Sequence, residues 1–148
     1  MLQRTQIWQT ALTWEGTPYH DLACLKGVGV DCGQLVIGVA KELGVLPCTW
    51  QCPPYSPERH LHQRTDMMSG LLEACGCWPV AWEDRQPGDV LTFRFGLVVS
   101  HAAFLLPGNA LVHAVVDKGV VRQALAGSWV ALHDRAWAFP GVEAVACL

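Results

Sequence analysis

Three side chains have the types and surroundings to do chemistry: Cys32, His101 and His113. Cys32 lies in GVGVDCGQLVIGVAKELG, residues 27–44, where a glycine-rich loop gives way to a helical pattern. Asp31 falls at the N-cap, where its carboxylate can accept a hydrogen bond from a backbone N–H one turn in. Cys32 is then the first helical residue. The first N–H groups of a helix have no internal partners, and the aligned peptide dipoles place partial positive charge there. Both effects favour a thiolate, and the same N–H groups suit an oxyanion beside the sulfur. The Asp31 charge opposes a thiolate unless it is turned toward the backbone. The position suits an inert core thiol as well, because Cys32 shares an apolar stripe with Leu35, Val36, Val39 and Leu43.

A thiol nucleophile needs a base, and often a third group that orients the base. Of the six histidines, His101 and His113 fall inside apolar β-rich runs, SHAAFLL (100–106) and ALVHAVV (110–116). A three-residue loop, Pro107-Gly108-Asn109, pairs Leu106 with Ala110. Continuing that register sets His101 opposite Val115 and Ala103 opposite His113. The two imidazoles are then diagonal neighbours on one face, about 7–8 Å apart at the backbone and within reach at the ring tips. A two-residue loop would send them to opposite faces. The alternative is a pair of core histidines, each bonded to backbone or water.

The elements that must position these residues follow from pattern. Helices are expected over 3–14 (Ile7, Ala11 and Trp14 on one face), over 32–43, and in short pieces around 57–64 and 66–75. Residues 15–31 and 47–57 are rich in turn formers and read as loops. Strands are expected over 78–82, 90–95, 100–106, 110–116 and 120–125, with 135–139 closing the sheet. Helices followed by an antiparallel meander predict an α+β fold. No repeat or linker divides the chain, so residues 1–148 are expected to form one domain.

Composition narrows the function. The chain is 51% hydrophobic and 16% charged, enough to bury a core. A net charge of −3 without a basic run argues against a nucleic-acid partner. No apolar run approaches the roughly 20 residues of a membrane span. The N-terminal residues carry no export signal, so synthesis in a cytoplasm is expected. The seven cysteines then read as reduced thiols, a metal site or a catalytic thiol rather than a disulfide framework. Cys48, Cys52, Cys75 and Cys77 could together hold zinc, but their spacing matches no common zinc motif, and reduced structural thiols are the simpler reading. His60 and His62 read as solvated residues more readily than as a metal pair. His20 follows Tyr19 and is near the cleft or simply exposed. Trp14, Trp50, Trp78, Trp82, Trp129 and Trp137 suit core packing better than a sugar-stacking surface.

The ordered set GTPYH (16–20), GVDCGQLV (29–36), YSPERHLH (55–62), PGDVLTFR (87–94), SHAAF (100–104) and LVHA (111–114) resembles the NlpC-type cysteine peptidases. These are papain-like enzymes that cut peptidoglycan stem peptides, and the likeness is to the branch encoded with phage and prophage tail genes. The resemblance implies N-terminal helices packed on a central antiparallel sheet of about five to six strands. It implies Cys32 as nucleophile, His101 as base and His113 as the orienting residue, with no metal and no cofactor. Tyr19 matches a tyrosine that helps form the oxyanion site, and Asp31 and Gln34 join it as candidates on the oxyanion and substrate side. The segment 55–62 corresponds to an insertion beside the cleft, where His62 could line the groove. The implied partners are a peptidoglycan stem peptide and other phage tail proteins. The implied place of action is the bacterial cell wall, reached from a virion tail. The family carries Asp-Cys-Ser-Gly at the nucleophile, whereas this chain has Asp31-Cys32-Gly33-Gln34, so preference for the usual D-Glu to diamino-acid bond is open. No wall-binding module is expected within residues 1–148, so targeting is expected from another protein or from assembly into a larger particle. Two competing functions are a non-catalytic tail assembly component and a papain-like amidase or acyltransferase on another substrate.

Overall fold

The computed structural model describes residues 1–54 and 67–142. The expected helix over 57–64, the segment 55–62 and His60 and His62 lie outside these residues. Helix α1 (Arg4–Leu12) starts where the Gln6 side chain returns to the Gln3 N–H at 2.9 Å, and it buries Ile7 and Ala11. Trp14, just past its end, is buried with them. Helix α2 (Cys32–Glu42) is capped by Asp31 and stops before Gly44, whose φ of +74° is easy only for glycine. Helix α3 (Met67–Ala74) buries Met68, Leu71 and Leu72.

The loop 15–31 is more ordered than its turn-rich composition predicts. It contains a two-stranded ribbon, β1 (Cys24–Leu25) against β2 (Gly29–Val30). Strands of two residues are too short to leave a pattern in sequence.

The main sheet has six strands: β3 (Trp78–Val80), β4 (Val90–Phe95), β5 (Val98–Leu106), β6 (Ala110–Val115), β7 (Gly119–Ala124) and β8 (His133–Ala138). Their order is β3-β8-β4-β5-β6-β7, antiparallel throughout. The expected strand over 78–82 ends at Val80, and Trp82–Asp84 form a 3-10 turn instead. Trp82 leaves the sheet because its ring stacks on His133, with centroids 4.0 Å apart, and lies under the Arg85 guanidinium. The last strand does not close an edge. It lies between β3 and β4, hydrogen-bonded on both sides, with Ala136, Trp137 and Ala138 all buried. A short helix α4 (Ser128–Ala131) precedes it.

All nine residues of β5 are buried, so the sheet is covered on both faces. One face carries α1, α2 and α3 over Val99, Ala102, Phe104, Leu106 and Trp137. The other face is covered by Trp82, Phe95, Trp129 and Leu132 over Phe93, Ala103, Leu105 and Leu111. The sheet therefore holds the α2 start against one end of β5 and β6.

Candidate active site

The site begins with the α2 cap. Asp31 is fully buried, and its two carboxylate oxygens each accept a backbone N–H at 2.8 Å, from Gln34 and from Leu22. The carboxylate thus ties the loop to the helix start and points at the backbone. Cys32 follows with 2% of its surface exposed, and its Sγ–H is directed at the Ser100 carbonyl at 3.7 Å.

Ser100 reaches the thiol because of a β-bulge. Phe93 pairs with His101 and Arg94 pairs with Val99, which leaves Ser100 as an extra residue on β5. The extra residue breaks the side-chain alternation. Val99 and Ala102, three apart, both face the helices, while His101 joins Ala103 and Leu105 on the other parity. A second shift on β4, facing β8, leaves Asp134 extra opposite Thr92 and Phe93, and Thr92 Oγ1 donates to its carboxylate at 3.0 Å.

The β5–β6 hairpin has the three-residue loop. Leu106 pairs with Ala110, Leu105 with Leu111 and Phe104 with Val112. Gly108 and Asn109 take the positive φ values, +80° and +57°, that such a tight loop requires. The result is the diagonal contact between the imidazoles: His101 Nε2 lies 2.8 Å from His113 Nδ1, with ring centroids 5.0 Å apart. His113 is fully buried, and its Nε2 lies 2.7 Å from Gln123 Oε1 on β7. Burial pushes its pKa down to about 4, against the opposing hydrogen bond to Gln123 and with help from the Lys118 charge.

Cys32 and His101 line one cavity of about 420 Å³, together with Tyr19, Asp21, Phe95 and Trp129. Tyr19 is positioned by a bridge to Val30 and by the Val30 N–H on the Pro18 carbonyl at 3.0 Å. Its hydroxyl donates to Asp21 Oδ1 at 3.2 Å. Asp31 and Gln34 are not part of the cavity wall. The Gln34 main chain is engaged on both sides, its N–H on Asp31 and its carbonyl on the Cys24 thiol at 3.3 Å.

Trp129 packs on the second apolar cluster, as expected, and also lines the cleft. Its ring lies 5.2 Å from that of His101 and 4.8 Å from that of His113, between centroids. A lone aromatic in GSWVAL gives no signal of that. Gln123 did leave one: in Val121-Gln123-Leu125 it is a polar residue on an otherwise apolar parity.

The four cysteines considered for zinc do not gather into a site. Among the described residues no group of three or more His, Cys, Asp or Glu is arranged to hold a metal ion. Burial instead raises the Cys52 and Cys75 thiols to about 11 and about 12, and lifts Cys77 further, so these are protonated thiols near neutrality.

A helix-start thiol that shares a cleft with a strand histidine, backed by a second histidine on the next strand of a six-stranded antiparallel sheet, is an NlpC/p60 cysteine-peptidase-like fold. Solved structures agree on that fold. The NlpC/p60 domain of the peptidoglycan hydrolase SagA superposes with a TM-score of 0.64 at 18% identity, covering 93% of this chain and all of that one. An NlpC/p60 family protein from Bacillus cereus gives 0.67 at 18% identity, over 91% of this chain and 39% of that one. RipD from Mycobacterium tuberculosis, a non-catalytic NlpC/p60 domain protein adapted to peptidoglycan binding, gives 0.58 at 13% identity, over 95% and 99%. In sequence, the chain is 33% identical over 111 residues to probable endopeptidases of Mycobacterium tuberculosis and Mycobacterium bovis. That match covers 75% of this chain and 23% of theirs, so the chain spans about a quarter of the length of these relatives. No protein-family model matches the chain.

Proposed function

We propose that the protein is a cysteine endopeptidase that hydrolyses an amide bond in peptidoglycan stem peptides, with Cys32 as nucleophile, His101 as base and His113 as the residue that orients the base. The observation that carries this reading is the 2.8 Å contact between His101 and His113 behind a cavity that Cys32 also lines. Two buried imidazoles in contact are costly as packing alone, whereas a base held by an orienting group is what a thiol nucleophile requires.

In this mechanism His101 takes the Cys32 proton, and the thiolate attacks the peptide carbonyl. The oxyanion forms beside the Cys32 N–H at the positive end of α2. Tyr19 joins it by exchanging the Asp21 carboxylate for the oxyanion as acceptor. His101 then protonates the leaving amine, and water activated by the same ring releases the acyl group.

Relatives that are probable endopeptidases, and a fold shared with a peptidoglycan hydrolase, support the substrate class. The likeness of the motifs to the tail-encoded branch is the ground for placing the enzyme in a phage or prophage tail, from which it would reach the cell wall. Purified stem peptides incubated with the protein should release new amino groups, and Cys32→Ala should abolish the release. Binding of stem peptides without release, in wild type and variant alike, would replace the enzyme reading with a binding function of the kind RipD represents. Mass spectrometry of purified tail particles tests the tail assignment.

A further inference from the structure

An imidazole is an ambiguous orienting group. The Asn or Asp that serves elsewhere presents an acceptor oxygen to the base, but a neutral histidine can offer either a lone pair or an N–H from the same ring atom. Something has to decide which His113 presents to His101. The group in contact with the far nitrogen of His113 is Gln123, with Oε1 2.7 Å from Nε2.

We infer that Gln123 is a positioning residue that sets the proton order along the chain Gln123–His113–His101, and through it makes His101 Nδ1 the basic atom. The inference rests on the catalytic assignment above. An amide oxygen only accepts, so His113 Nε2 carries the proton it faces. A neutral His113 then has a bare Nδ1, which accepts from His101 Nε2–H at 2.8 Å. His101 Nε2 thereby keeps its proton, and Nδ1 is left as the lone pair that can take one from a thiol. Reversing the order, with an N–H donated to His113 Nε2, reverses every step and leaves His101 protonated at Nδ1 with no lone pair to offer. Only one of the two senses gives a base.

Placement supports this assignment. His113 pairs directly with Val121, so Gln123 is its diagonal neighbour on the same face of β7. Full burial keeps His113 neutral across the working pH range, as the relay requires, with Lys118 adding to that effect. Trp129 packs on both rings and limits their rotation.

The test reads the tautomers directly and needs no substrate. In a Cys32→Ala background, where no thiolate can draw a second proton onto His101, nitrogen NMR of labelled histidines at pH 7.5 should show both rings protonated at Nε2 and bare at Nδ1. Gln123→Leu, which removes the acceptor, should shift His113 to a mixture or to the Nδ1–H form. Gln123→Glu, an acceptor only while its carboxylate is ionised, should keep the original order at pH 7.5. With Cys32 restored, the alkylation rate of Cys32 should fall on the order of tenfold to a hundredfold in Gln123→Leu, as expected for one lost polar contact. It should recover in Gln123→Glu. An Nδ1–H on His113 in the Cys32→Ala protein, or tautomers unchanged by Gln123→Leu, would overturn the inference. Correct tautomers in a protein that hydrolyses no stem peptide would instead sink the substrate reading and leave the relay standing.

Discussion

A thiol becomes a nucleophile only as far as its surroundings favour the thiolate, and those surroundings differ sharply among the cysteines here. Cys52, Cys75 and Cys77 are pushed upward by burial, whereas Cys32 begins a helix and lines a cavity with His101. Alkylation of all seven cysteines, followed by peptide mass spectrometry across pH, should find Cys32 fastest well below the free-thiol value of about 8.5. His101→Ala should remove that advantage, and an inert Cys32 in the native protein would count against the enzyme reading. His113 makes a second prediction. It titrates near 6.5 when unfolded and is held to about 4 when folded. Between those values the unfolded chain binds the extra proton, so stability falls as pH drops from 6.5 toward 4 and is unaffected by this group above that window. The shift corresponds to roughly 3 kcal/mol by linkage. Urea midpoints measured from pH 8 to 4 should therefore fall less steeply in His113→Gln than in wild type, and parallel curves would show that His113 is not held neutral.

Elements act here by bringing loops to the cleft with fixed geometry. The segment that carries Tyr19 is tied to β7 by the Gly16 N–H on the Val120 carbonyl and the Val120 N–H on the Thr17 carbonyl, both at 2.9 Å. Gly119 permits this approach: its φ is +78°, and a Cβ there would lie 2.5 Å from the Thr17 carbonyl oxygen. Gly119→Ala should cost roughly 1–3 kcal/mol by overpacking and backbone strain, and lower the thermal midpoint by several degrees. It should also impair turnover, because Tyr19 moves with the loop; an unchanged midpoint and rate would show that the loop is free to shift. Much of the element level was legible in sequence. Pro107-Gly108-Asn109 specified a three-residue turn, and that length alone set the two histidines on one face. The cap at Asp31 was legible for the same reason, since its partners are local. The bulge at Ser100 was not, because it is defined by pairing with β4, and a single strand does not reveal its partner. The position of β8 was hidden likewise: its alternation shows burial on two faces but not which strands supply it.

At the scale of the whole molecule, the sheet order makes the two apolar clusters depend on each other. β8 pairs with both β3 and β4, and its neighbouring residues Trp137 and Ala136 face opposite sides, one in each cluster. β5 does the same with Phe104 and Leu105. Neither cluster can open without unpairing strands that the other needs, so local unfolding of one side costs about as much as global unfolding. The tryptophans report on both sides: Trp14 and Trp137 lie with the helices, and Trp82 and Trp129 cover the opposite face. Urea unfolding followed by tryptophan fluorescence and by far-UV circular dichroism should therefore give one transition with the same midpoint. The same should hold when Trp82 and Trp129 are both replaced by Phe, which silences the second face and leaves the helix-side tryptophans to report. A chain ending after Leu132 lacks β8 and should show no cooperative transition, because β3 and β4 are left as unpaired edges over an opened core. Fluorescence midpoints that differ between that double variant and the wild type, at one circular-dichroism midpoint, would mean that the face carrying the histidines and Trp129 opens on its own, and the cleft would then be a mobile layer on a stable helical half rather than part of one cooperative unit.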